Sequence, residues 1–331
     1  MKKIHLILAL LIACTLSFTF TSCSEEKLGP SIFDVNPPVR TAFDYWLIEN
    51  FVKPFNVRVL WRYEDMESDF RYNLLPAELG LAKKMAQITK HVWFDAYAEA
   101  VSEEFLRLTS PRIIQFIGSR AYNPADGTFT LGTAEGGMKV TLYMVNHLEM
   151  NTDFLNRFYF WVMHHEFAHI LHQVRMYPLS FREITPAVYI GNDWPSVSRN
   201  EAFRRGVITP YSLFSADEDF VEMFTAYILT DPATWESWMQ IAATGIVPAT
   251  SITGRQAIEQ KLAIIKTYMW EIWGLDMDLM REISLRRAQE VLTMEFLTFG
   301  EEEPQLGTNS LNWSDDDIFI FGCSCPTCPQ Q

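Results

Sequence analysis

Residues 164–172 read His164-His165-Glu166-Phe167-Ala168-His169-Ile170-Leu171-His172, and four of the chain's seven histidines fall within them. Inside this run, His165-Glu166-x-x-His169 has a spacing with a mechanical meaning. On an α-helix, positions i and i+4 lie one turn apart and roughly 40° around the axis, so two imidazoles can converge on one ion. Glu166 then points beside the pair, where it reaches a water at the ion without ligating the ion itself. The run sits in a segment, from Phe154 to about Val174, that contains no helix breaker and is preceded by the capping residues Asn151-Thr152-Asp153. Chance would place such a pattern in a chain of this composition on the order of 0.01 times. The competing interpretation is a buried helix whose histidines are satisfied by their neighbours.

A zinc site needs a third protein ligand and one open position. A metzincin-type site would take a histidine six residues after the second, but Arg175 stands there. His172, at i+7 from His165, lies two turns on and suits packing or support of the site better than ligation. His164 points away from the pair, and His91 and His147 read as structural. The better third ligand is acidic. Ser215-Ala216-Asp217-Glu218-Asp219-Phe220-Val221-Glu222 gathers four carboxylates, with Glu218 and Glu222 one turn apart on one face. Like charges at that spacing cost a few tenths of a kcal/mol in an isolated helix, a cost that a nearby cation relieves. A Ser215 cap and the helix dipole account for Asp217 and Asp219 without any metal, but they explain Glu222 less well. Glu218 is the expected ligand, with Glu222 and Asp219 as rivals. Glu222 is otherwise expected to hold the free N–H of a ligand histidine and so fix its tautomer. Tyr211, seven residues before Glu218, is the candidate donor to a developing oxyanion. The alternative for Tyr211 is a half-buried loop tyrosine.

The whole chain has 331 residues, 27 basic and 41 acidic, a formal charge of −14 and 48% hydrophobic residues. These proportions fit a globular protein and exclude a disordered, collagen-like or coiled-coil chain. The acidic balance excludes duplex nucleic acid as a partner, since no broad cationic surface is available for phosphates. Strands are expected at Asn56–Trp61, Arg112–Ile117 and twice within Thr128–Val145. Helices are expected from Pro76 to about Leu108 with a break near Ser102, and over Ala216–Leu229, Ala233–Ala243, Thr253–Trp273 and Asp278–Phe299. Residues 175–214 read as irregular, with prolines spaced through them. Strands and helices thus mix in the first half, while the second half is nearly all helical. The fold class is α+β.

The N-terminus carries Lys2 and Lys3, an apolar run from Ile4 to about Phe20, and then Thr21-Ser22-Cys23. That is the layout of a signal peptide over residues 1–22, too interrupted by Thr15, Ser17 and Thr19 to favour a membrane span. Phe20-Thr21-Ser22-Cys23 looks like a bacterial lipobox, which makes Cys23 the lipidated first residue. Leu11-Ile12-Ala13-Cys14 matches the strict pattern more closely, but leaves too short an apolar region. Residues 23–45 read as a tether. The tail, 301–331, is acidic and holds Cys323, Cys325 and Cys328, thiols that could take a soft metal or pair; a loosely packed tail is the plainer reading.

The lipobox, His165-Glu166-Phe167-Ala168-His169 with Ile170-Leu171-His172-Gln173, and Gly206-Val207-Ile208-Thr209-Pro210-Tyr211 leading to Glu218-Asp219-Phe220-Val221-Glu222 together resemble one family. These are the substrate import-associated zinc metallohydrolase lipoproteins, which are gluzincin-like. The spacing of Tyr211, Glu218 and Glu222 is also similar to lethal-factor-type zincins. The resemblance implies a zincin-like domain over 46–300, with a mixed-sheet upper lobe holding the HExxH helix to about 174. A mainly helical lower lobe would follow over about 175–300. It implies one Zn2+ per chain, held by His165, His169 and Glu218, with Glu166 as general base, and Met138–Val145 as an edge strand along an extended substrate. It also implies a lipid anchor at the bacterial outer membrane, on the cell surface or periplasmic face, and association with a SusC/SusD-type, TonB-dependent import complex. The expected activity is that of a metallopeptidase on an extracytoplasmic peptide or glycoprotein. Two alternatives are a non-catalytic glycan- or peptide-binding lipoprotein serving the importer, and a structural protein whose metal only stiffens it. Glu166 disfavours the first, because metal binding alone does not need that carboxylate.

Overall fold

The computed structural model describes residues 40–122, 129–130, 132–135 and 138–300. The signal segment, Cys23, most of the tether and the tail with its three cysteines lie outside the described residues. The first described helix, α1 (Ala42–Leu47), begins within the stretch expected as tether. Its start is set by a capping box: Thr41 Oγ1 accepts from the Asp44 amide, and Asp44 accepts from the Thr41 amide. A short helical segment ends at Asn56, whose φ of 55° is left-handed. The strand expected over Asn56–Trp61 is therefore shorter, β1 (Arg58–Leu60).

The helical pattern after Pro76 resolves into α2 (Leu79–Thr89), a π-helical turn over 90–94, α3 (Asp95–Ala100) and, after a break capped by Ser102, α4 (Glu103–Thr109). The sheet is completed by β2 (Ile113–Phe116), β5 (Gly132–Glu135) and β6 (Lys139–Leu142), while β3 (Ala121–Tyr122) and β4 (Phe129–Thr130) pair with each other in a separate small hairpin. β1, β2 and β6 run parallel, and β5 pairs antiparallel with β6, so the order is β1-β2-β6-β5 and the sheet is mixed. This corrects the expected edge. The Met138–Val145 segment supplies β6, an inner strand buried along its length, and the edge beyond it is β5.

Asn151 caps the next helical run through the Phe154 amide. After another π-helical turn over 156–160, the run continues as α5 (Trp161–Val174), which packs against β5 and β6 and carries the histidines. The irregular region holds short helical pieces, among them α6 (Arg199–Arg204). The second half is helical: α7 (Ala216–Leu229), α8 (Pro232–Ala242), α9 (Gly254–Trp273) and α10 (Met277–Glu290). α10 stops nine residues short of the expected Phe299, and packs back on α3 as well as on α7. Gly206 has a φ of 81°, and a Cβ there would meet the Ala257 Cβ at 2.7 Å; a side chain is excluded where this loop presses on α9. α7, buried on nearly every side, packs on α5, α9, α10 and the short turn Tyr211–Leu213. That packing brings residues 49 apart in sequence into one site. No helix among the described residues is long and apolar enough to cross a membrane.

Candidate metal centre

Ser215 ends the loop before α7, and its hydroxyl accepts from the Glu218 amide at 3.2 Å. The cap starts the helix so that Glu218 leaves its first turn toward α5. Glu218 Oε2 lies 3.3 Å from His165 Nε2 and 3.3 Å from His169 Nε2. The three ligand atoms all fall within 4.8 Å of one another. Ligands placed tetrahedrally around zinc at its usual bond lengths of about 2.0–2.1 Å stand roughly 3.3–3.4 Å apart, so the carboxylate is already at ligand spacing from both imidazoles. All three residues are buried or half-buried.

The charges agree with this spacing. Burial pushes His165 down, but Glu218 and Glu222 outweigh it and raise the imidazole to about 10. Burial pushes Glu218 up, but His165 and His169 hold it down at about 2. The donor set stabilises a positive charge at its centre, which is what a divalent cation supplies.

The two rivals of Glu218 are turned elsewhere. Asp219 faces the opposite way, where its Oδ2 pairs with Lys261 and accepts from Tyr189 at 2.9 Å. Glu222 Oε1 lies 2.8 Å from His165 Nδ1. A carboxylate only accepts, so His165 Nδ1 carries a proton toward Glu222, and Nε2 is the nitrogen that faces the centre. His169 Nδ1 contacts His172 Nε2 at 3.0 Å, so the second imidazole is braced by another histidine. His164 is buried on the far side, bonded through Nδ1 to the Tyr97 hydroxyl at 2.9 Å, and burial lowers it to about 3. It stays neutral and out of the site.

Glu166 is half-buried next to His165, and its charge reaches both His165 and Tyr211. The Tyr211 ring stacks on His165 with centroids 6.1 Å apart and is wedged between Trp194 and Phe214. Burial, followed by the carboxylates of Glu218, Glu222 and Glu166, pushes its phenol up, so it remains an O–H donor at neutral pH. Two contacts escaped the sequence reading. Trp161 Nε1 donates to Glu222 Oε1 at 2.8 Å, and Thr209 Oγ1 donates to Glu222 Oε2 at 2.6 Å. Trp161 was legible in one respect: it lies four residues before His165, on the same helical face.

A half-buried His-His-Glu set, with the Glu166 carboxylate beside it and a mixed sheet along the histidine helix, defines a zinc-dependent peptidase class of site. The family model described as "Putative zinc-binding metallo-peptidase" matches residues 36–278. The chain belongs to that zinc-binding metallopeptidase family. It is also similar to a crystal structure from Bacteroides caccae described in the same words, at 40% identity and a TM-score of 0.67, over 80% of this chain and 98% of the other. No curated protein matches the chain.

Proposed function

We propose that the protein is a lipid-anchored zinc metallopeptidase of the bacterial outer membrane, cleaving extracytoplasmic peptide or glycoprotein in connection with nutrient import. The observation that carries the enzymatic part is the position of Glu218 Oε2, 3.3 Å from Nε2 of both His165 and His169. These three residues would hold the zinc. Bound there, zinc supplies Lewis acidity, lowering the pKa of water toward about 7 and polarising a carbonyl. Glu222 holds His165 in the tautomer that leaves Nε2 free. Glu166 takes the proton of the attacking water on its carboxylate and returns it to the leaving amine nitrogen. Tyr211 donates its hydroxyl hydrogen to the oxyanion as the carbonyl becomes tetrahedral. The zincin-like reading of the fold rests on the mixed sheet packed along α5 and on the antiparallel edge strand β5.

The anchor rests on the lipobox at Cys23, and the link to a SusC/SusD-type import complex rests on the resemblance alone. Substrate class follows from the same source. The test compares wild type with Glu166→Ala for zinc content and for hydrolysis of a mixed peptide library. Equal zinc with cleavage abolished supports the peptidase. Zinc present but no turnover by wild type, over broad substrates, would favour a binding lipoprotein instead.

A further inference from the structure

Glu222 is nearly inaccessible, yet three donors, two from α5 and one from the loop before α7, converge on its carboxylate: His165 and Trp161 on Oε1, Thr209 on Oε2. Thr209 differs from the other two donors in what else it does. Its Oγ1 also accepts from the Ser212 amide at 3.1 Å, and the Thr209 amide in turn donates to Ser212 Oγ at 3.4 Å. This reciprocal pair closes the short turn Tyr211–Leu213, in which Ser212 is wholly buried and Tyr211 faces His165. A single hydroxyl therefore joins two arms of the site, giving its proton to the Glu222–His165 arm and its lone pair to the turn that carries Tyr211.

We propose that Thr209 is a positioning residue that sets both the His165 imidazole, through Glu222, and the Tyr211 phenol relative to one centre. This rests on the zinc-site reading above. The chemistry needs the ligand imidazole and the oxyanion donor placed about the same centre, and groups acting there must be held to a fraction of an ångström. Trp161 fixes Glu222 to α5, the helix of His165 itself, whereas Thr209 ties it to the loop. Without the Thr209 hydroxyl, Glu222 Oε2 loses its hydrogen-bond donor among the described residues, and the turn loses a cap.

Thr209→Val is nearly isosteric and removes the hydroxyl, while Thr209→Ser keeps it. Zinc affinity by chelator competition, the visible spectrum of the Co2+-substituted protein, kcat and KM, and the melting temperature of chelator-treated protein are measured for wild type and both variants. The expected result is zinc binding weakened about tenfold in Thr209→Val, at the low end for groups that support a ligand's partner. The cobalt spectrum should change and kcat should fall with KM little moved. Thr209→Ser should restore all three. A lower melting temperature with zinc affinity and cobalt spectrum unchanged would reduce Thr209 to a structural residue and overturn the proposal, as would a Thr209→Ser variant no better than Thr209→Val. Thr209→Ala, which removes the hydroxyl together with the methyl, serves the same comparison should Thr209→Val not fold. Wild type that binds neither zinc nor cobalt would sink the zinc-site reading rather than this one.

Discussion

Lys261 and Asp219 form an ion pair whose side chains are both fully buried, and its loss should be among the costliest single changes in the protein. Burial pushes the Asp219 carboxyl up and the Lys261 ammonium down, and each charge opposes that shift in the other. Lys261 Nζ also donates to the Gly206 carbonyl at 3.1 Å. In Lys261→Met the stem is replaced at similar volume, but Asp219 keeps only the Tyr189 hydroxyl, and its Oδ1 already lacks a partner among the described residues. Removing one member of a buried pair costs about 3–5 kcal/mol, because the remaining charge is left uncompensated. For a domain of this size that corresponds to a melting temperature lower by on the order of 10 °C. Replacing both members, Asp219→Asn with Lys261→Met, should recover more than about 2 kcal/mol of the summed single losses. The assay is equilibrium urea unfolding of chelator-treated protein, so that metal linkage does not enter. Added salt should change the result little, since the pair is out of reach of counterions. A single-mutant loss below about 1 kcal/mol, or strict additivity in the double mutant, would refute the argument. Asp219 follows Glu218 directly on α7, so the same pair anchors the start of the helix that delivers Glu218.

Asp44 gives a pH prediction of defined sign. Burial pushes its carboxyl up, but the hydrogen bonds from Arg62, from the Thr41 amide and hydroxyl and from Trp61 outweigh that and hold it at about 2. A carboxyl lowered in the folded state contributes stability above its unfolded pKa near 3.8 and loses it as pH falls from about 4 to about 2. The contribution is about 2 kcal/mol, and unfolding of Asp44→Asn should show a correspondingly shallower pH dependence over that window, whereas an identical slope would contradict the assignment. Tyr211→Phe should lower kcat by about 100-fold with KM little changed, as loss of one oxyanion donor does; a pure KM effect would place Tyr211 in substrate binding instead.

Much of the site could be read in the sequence because the relevant signals are local. The HExxH spacing, the breaker-free run up to Val174 and the cap at Ser215 need only neighbouring residues, and α7 spans the expected Ala216–Leu229. What the sequence left open was decided by distant partners. Asp219 and Glu222 stood beside Glu218 as candidates until Lys261, 42 residues on, and His165, 57 residues back, each claimed one. The edge of the sheet was misassigned for a related reason. The Met138–Val145 segment has the stronger strand pattern, as an inner strand should, while the short Gly132–Glu135 segment that pairs outside it carries little apolar signal. The short helical pieces between 175 and 214 were read as irregular because each is too brief to show a period, and their role is seen only in the loop that brings Thr209 and Tyr211 to the site.

The central claim is that one zinc ion is held by residues from two distant helices. Zinc-edge anomalous diffraction from crystals of the protein grown with stoichiometric zinc tests it most directly. One peak per chain is predicted, bonded at about 2.0–2.2 Å to Nε2 of His165, Nε2 of His169 and a carboxylate oxygen of Glu218. A peak that lacks Glu218, or one that lies elsewhere in the chain, would contradict it.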